Sequence, residues 1–132
     1  MTNHCAVFTH PVALEHDTGA GHPENKSRIE AILKALDATP IEGAVIRQAQ
    51  AAPIKSVLAC HSERYLEKIK KTIPETGTAN LDEDTVISAQ SFQAALTSAG
   101  GGVNAVDTVL DGHYKRAFSI MRPPGHHALY DG

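Results

Sequence analysis

Apolar positions along this chain switch between two spacings, and the switches mark out its elements. Cys5-Ala6-Val7-Phe8-Thr9 is a short apolar run that ends near a proline, as a buried strand does. From His10 to Ser27 the periodicity vanishes. Pro11, Gly19, Gly21 and Pro23 punctuate a long loop that carries His10, His16 and His22. A loop of that length inside a compact domain is more often functional than idle. Ile29, Ile32, Leu33 and Leu36 then fall at i, i+3, i+4 and i+7, which predicts a helix from Ser27 to Ala38, closed by Pro40 and Gly43.

Ala44-Val45-Ile46 predicts a second short strand. Pro53 suits the first turn of a helix with Ile54, Val57 and Leu58 on one side. Ser62 is an N-cap candidate for a further helix, with Leu66 and Ile69 facing inward. Thr72 to Thr85 reads as a loop holding Pro74, Gly77 and the acidic cluster Asp82-Glu83-Asp84. Ser88 starts the longest helix; Phe92, Ala95, Leu96, Ala99, Val103, Val106 and Leu110 form its stripe, and Gly112 stops it. Each glycine of Gly100-Gly101-Gly102 costs that helix roughly 1 kcal/mol relative to alanine, a cost that a closely packed neighbour would explain. Ala117 to Met121 reads as a buried strand that runs directly into Arg122-Pro123-Pro124-Gly125-His126-His127-Ala128.

Strands alternating with helices predict an α/β fold with a mainly parallel sheet. No repeat, low-complexity tract or linker divides the 132 residues, which read as one domain, 1–132. Apolar residues at 42% and charged residues at 20% are those of a folded globular chain. The net charge of -3 is spread over interspersed acids and bases, so nothing resembles the basic stripe of a nucleic-acid binder. No apolar run approaches the ~18 residues of a membrane span, and the N-terminus has no basic region followed by a long apolar stretch. Neither nucleic acid nor membrane is an expected partner, and a cytoplasmic location is expected. Cys5 and Cys60 read as two reduced thiols.

The candidate chemistry lies at the last strand. In α/β sheets ligands bind beyond the carboxyl ends of the strands. There two prolines restrict the backbone, and Gly125 permits a conformation or a close approach that a side chain would block. His126 and His127 are thus presented side by side from a stiff loop. Imidazoles titrate near neutral pH, so a fixed pair suits proton transfer around a reacting carbonyl. A zinc site needs three or four ligands, and no Cys or His lies at short chelating spacing, so no residue is assigned to metal.

The block from Arg122 to Ala128 resembles the double-histidine motif of the histone deacetylase family, which includes bacterial acetylpolyamine amidohydrolases and acetoin-utilisation proteins. Other blocks match in order. His16-Asp17-Thr18-Gly19, then Gly21-His22-Pro23-Glu24 and Arg28, resembles the family's N-terminal loop. Leu81-Asp82-Glu83-Asp84-Thr85 resembles its substrate-rim loop, followed by a helix with Ala-Gly-Gly; His61-Ser62-Glu63-Arg64-Tyr65-Leu66 is also typical. The resemblance covers almost the whole chain and implies an arginase/deacetylase-like three-layer α/β fold, incomplete at its C-terminal side. It implies hydrolysis of an N-acetyl amide, acetyl-lysine or acetylpolyamine, by a zinc-bound water.

By that resemblance His127 is the general base and then the acid for the leaving amine. His126 tunes the electrostatics, and downstream acids orient both. Asp84 matches the rim aspartate that holds the substrate. Arg28 matches an arginine of the internal channel, and His22, Pro23, Pro124 and Gly125 shape the active-site loops. His16 and His22 read as loop-packing side chains, since the mechanism needs only two histidines. The lesser reading of Arg28 is a surface residue of a first helical turn, although its charge opposes the favoured dipole sign there. His4, His10, His61 and His113 have no assigned role.

The family's metal ligands, an Asp-x-His pair and a later Asp, follow the double-histidine block. The resemblance therefore implies an N-terminal portion that holds no zinc and is inactive alone. It further implies an open edge at the last strand, covered in a homo-oligomer or by a complementing chain. Two alternatives stand beside this: a non-catalytic deacetylase-like domain that acts by self-association, and a small metal-binding module on the histidine-rich loop.

Overall fold

The computed structural model describes residues 2–132, with side-chain environments from His4 onward. Its elements run β1 (Thr2–Thr9), a 3-10 turn (Pro11–Leu14), α1 (Ser27–Ala38), β2 (Ala44–Gln48), α2 (Ile54–Leu58), α3 (Glu63–Thr72), β3 (Thr78–Asn80), β4 (Val86–Ser88), α4 (Ser91–Leu110) and β5 (Tyr114–Ser119). Alternation along β1 sets the layers, because successive side chains point to opposite faces. Ala6 and Phe8 pack with Ala49, Ala105, Ala117 and Met121 on the α4 side. Val7 packs with Ile29, Ile120, Leu33 and Leu36 on the α1 side. Helices thus cover both faces of a three-stranded sheet of order β2-β1-β5, and both pairings are parallel.

Chain order around β1 positions the site. From β1 the chain crosses one face through α1 to β2, and it returns across the other face through α4 to β5. The strand order reverses between β1 and β5. Their carboxyl ends therefore open on a crevice of the kind that binds ligands in open parallel sheets.

Several elements sit where the pattern predicts them. α1 has the expected bounds, and the Ser62 hydroxyl caps α3 by accepting from Tyr65 N at 3.1 Å. The stretch expected to be all loop instead carries β3, which pairs antiparallel with β4. Its Thr78-Ala79-Asn80 strand is too short to show a period against the polar residues around it. Ser88 belongs to β4 and not to the long helix, and its N–H donates to Ser91 Oγ at 2.7 Å. β5 begins three residues earlier than expected and ends at Ser119, although Ile120 N still donates to Phe8 O at 2.8 Å.

The face of α4 is the clearest departure. The helix buries Ser91, Ala94, Thr97, Gly100 and Gly101. Val106 and Leu110, expected inward, are 57% and 78% exposed. Backbone proximity selects the small face: Ala52 N donates to Leu96 O at 2.9 Å, which lays the 49–52 segment directly on the helix. A Cβ on Gly100 would fall 1.7 Å from Gln50 O, whereas one on Gly102 meets nothing within 4 Å. The glycine triplet thus holds an obligatory backbone approach at Gly100, a tight side-chain approach at Gly101, where a Cβ would lie 2.7 Å from Ser119 Oγ, and no such contact at Gly102. No described helix is long and apolar enough to cross a membrane.

Two substitutions separate these roles. Gly100→Ala should destabilise the chain by at least about 1–3 kcal/mol, as forced overpacking does. Gly102→Ala should be neutral or stabilising by up to about 1 kcal/mol through helix propensity. Urea denaturation of both variants checks the contrast.

Candidate functional site

Arg122 organises the crevice. β5, expected to be buried, has no fully buried residue; burial begins just past it at Ile120, and Arg122 is 2% exposed. A guanidinium cannot shed its charge at that depth, so it must be paired and fully hydrogen-bonded. Its Nε and Nη2 donate to the two carboxylate oxygens of Glu24 at 2.9 Å each. Nη1 donates to the Ala13 carbonyl at 2.9 Å and to the His16 carbonyl. One side chain from the β5 end therefore fixes both the 3-10 turn and the 16–24 loop that leaves β1.

The 16–24 loop is tied down at further points. Thr18 Oγ1 donates to Glu24 O at 2.7 Å, and Glu24 N donates to His22 Nδ1 at 3.1 Å. The other ring nitrogen of His22 lies 2.9 Å from the carbonyl of Asp84. Since Nδ1 accepts, Nε2 carries the proton and donates to that carbonyl. His22 thus hinges the loop to the rim. The rim is itself preformed: the Asp82 carboxylate accepts from Asp84 N, Thr85 N and Thr85 Oγ1. Those bonds, the Thr85 hydroxyl first, hold Asp82 below the usual carboxylate range.

His16 lies buried under the same loop. Its Nδ1 is 2.6 Å from Ser91 Oγ, and its Nε2 is 3.6 Å from Glu24 Oε2. Ser91 Oγ already accepts from Ser88 N, and Ser88 Oγ accepts from Asp17 N at 2.9 Å. A hydroxyl has one proton to give; directed at His16 Nδ1, it leaves the ring proton on Nε2, facing Glu24. Desolvation, and after it the Arg122 charge, lower the His16 pKa.

Beyond Arg122 the Arg122–Pro123 peptide is cis, and Ser98 Oγ of α4 donates to Pro123 O at 2.8 Å. A turn closed by Ala128 N donating to Gly125 O at 3.0 Å then carries His126 and His127 at its two central positions. Gly125 has φ +70, and a Cβ there would meet nothing within 4 Å, so conformation and not close approach requires the glycine. The two imidazoles are exposed, with ring centroids 4.3 Å apart and planes tilted by 47°. Arg28 is 64% exposed in the first turn of α1, with Nη1 4.0 Å from Glu24 Oε1.

The histone deacetylase domain model matches residues 22–132. A histone deacetylase-like amidohydrolase of Pseudomonas aeruginosa is 36% identical over 99% of this chain and 39% of its own length. A probable deacetylase of Methanothermobacter thermautotrophicus is 33% identical over 95% of this chain and 37% of its own. The crystal structure of the HDA15 HD domain superposes with a TM-score of 0.88 at 24% identity, over 98% of this chain and 38% of that one.

This chain belongs to the histone deacetylase family. It spans under two fifths of the length of those relatives, and its layered, parallel-sheet fold is that of a deacetylase domain.

In family terms, the structure ties His22 of the N-terminal loop, next to Pro23 in the chain, to the rim at Asp84. Through Glu24 and Arg122 it brings that loop also to the double-histidine loop. Arg28 stands beside Glu24 at the mouth of a groove of about 370 Å³ that Ile29, Phe118, Met121 and Pro124 also line. Asp84 enters the network through its backbone. Among the described residues, no group of three or more His, Cys, Asp or Glu gathers in a way that could hold a metal ion. The described residues do not fit a resident zinc.

Glu24 and Arg122 were not among the site residues that the pattern singled out. Their signal was available: a lone arginine against a buried strand and two prolines needs a partner, and Glu24 is the acid of the matching loop. Ser88 and Ser91 carried no such signal.

His16 gives a pH test. Its folded pKa lies below the unfolded value of about 6.5, so its contribution to stability is present above that value and is lost as pH falls towards the folded pKa. The wild type should lose stability between pH 7.5 and 5.5, and His16→Asn should flatten that slope. Urea midpoints at the two pH values check it.

Proposed function

We propose that this chain is the proton-handling portion of a zinc-dependent deacetylase that hydrolyses N-acetyl amides, acetyl-lysine or acetylpolyamine, and that it is inactive by itself. The observation that carries this reading is the Arg122–Glu24 pair. It joins two blocks of the family pattern at the β1/β5 crevice, with the histidine turn next to it. In this reading His127 accepts the proton of the attacking water and later gives it to the leaving amine. His126, 4.3 Å away, tunes that transfer by its charge. Asp84, on a rim with Asp82 and Glu83, orients a cationic or peptide-like substrate by accepting its N–H. The family's zinc would come with residues that this chain does not gather. We place the activity in the cytoplasm, where free thiols such as Cys5 and Cys60 are the ordinary state.

The open side of β5 supports a completing partner, either a complementing chain or a second copy. β5 is an edge strand, and Phe118 on it is 59% exposed. An apolar edge of this kind invites another strand. The same feature favours the second reading, a non-catalytic deacetylase-like domain that acts by self-association.

Activity separates the two. The purified 132-residue chain should bind no stoichiometric zinc and turn over neither acetyl-lysine nor acetylpolyamine. Joined to the remaining three fifths of the Pseudomonas aeruginosa relative, it should gain turnover, and His127→Ala should then lower kcat by about 10²–10⁴-fold. Turnover by the chain alone, or a completed domain indifferent to His127→Ala, would contradict the proposal.

A further inference from the structure

Arg122 fixes only the upstream end of the histidine turn. The downstream end has an anchorage of its own, on the start of α3. Ser62 N donates to Tyr130 O at 2.9 Å. His61 Nδ1 lies 2.7 Å from Leu129 O and, with a carbonyl as partner, carries the proton. Ser62 Oγ donates to Asp131 Oδ1, while Arg64 Nη2 pairs with Asp131 Oδ2 at 3.3 Å. The same Ser62 hydroxyl accepts from Tyr65 N and so caps the helix. Two backbone carbonyls and one carboxylate of the 129–131 segment therefore seat on His61, Ser62 and Arg64 at a helix start.

Asp131 is the residue that makes this seat selective. Surface ion pairs alone order little. Here the carboxylate takes the single proton of Ser62 and leaves that oxygen's lone pair for the helix, so docking and capping use one hydroxyl without competing. The helix start also favours a negative charge. Only three residues separate His127 from Asp131, so an ordered Asp131 leaves the histidine turn little slack between its two anchors.

We propose that Asp131 is a positioning residue. By docking on Ser62 and Arg64 it holds the Gly125–Ala128 turn closed and fixes the relative placement of the His126 and His127 imidazoles. The inference rests on the proton-handling reading of those histidines for its purpose, but its test involves no turnover and is decided independently.

The test is imidazole NMR and amide exchange on the 132-residue chain. In the wild type, His126 and His127 give two distinct sets of ring signals, and Ala128 N–H, which closes the turn, is protected. In Asp131→Asn the two sets should converge, and Ala128 exchange should rise by about tenfold or more. Tyr65 N–H should keep its protection, because its partner Ser62 is intact. Asp131→Glu should restore part of the Ala128 protection.

Acid gives a second readout on the unmodified chain. Bonding to Ser62, and secondarily Arg64, holds Asp131 below the usual carboxylate range. The dock therefore persists through pH 5 and is lost only as pH falls through that lowered value. Ala128 exchange should rise as the dock is lost at that value, together with a change in the His126 and His127 ring signals. Unchanged histidine signals and Ala128 exchange in Asp131→Asn, or equal loss at Ala128 and Tyr65, would overturn the proposal. The first outcome would mean that the turn is held without Asp131, and the second that Asp131 serves only the helix.

Discussion

A single ion pair, between the buried Arg122 and the partly buried Glu24, ties this structure together. Arg122 comes from the end of β5 and Glu24 from the loop after β1; they meet in a two-pronged contact at 2.9 Å on each prong. The geometry is bidentate and the remaining guanidinium protons go to backbone carbonyls, which is what a charge at 2% exposure requires. Removing either partner from a buried pair strands the other, a cost of about 3–5 kcal/mol. Two long loops without secondary structure of their own thereby behave as one body.

The site inherits its place from the sheet and its rigidity from that pair. Reversal of strand order between β1 and β5 opens the crevice, and α4 closes its floor. α4 can do so only because its inner face is small: Ser91 bonds the 16–24 loop through His16, beside Ser88 of β4, which bonds Asp17, and Gly100 lets the 49–52 backbone through. A bulkier inner stripe would push the helix away from both. The apolar residues on its outer face follow from the same constraint, since the inner face is reserved for backbone contact and hydroxyl bonding.

Sequence pattern and structure agree where one physical effect dominates. α1 was legible because Ile29, Leu33 and Leu36 face one apolar layer, and β1 because it is buried on both sides. Ser62 was legible as a cap because its local chemistry suffices. The inner face of α4 was not: hydropathy ranks Val106 and Leu110 above Ser91 and Gly100, whereas the fold selects by size. The β3–β4 hairpin was hidden by its length. At the site, the histidine pair and the long loop stood out as chemistry and irregularity. The pair that joins them did not, because its partners lie 98 positions apart, and nothing local in a sequence reports such a contact.

The coupling between Glu24 and Arg122 is therefore the quantity to measure, by a double-mutant cycle of Glu24→Gln and Arg122→Met in urea. If the two residues act as one brace, each single change is severe and the double change costs much less than their sum, with a coupling of at least about 2 kcal/mol. Additive effects, with a coupling near zero, would mean that the two loops are held independently and that the central role given to the pair is wrong.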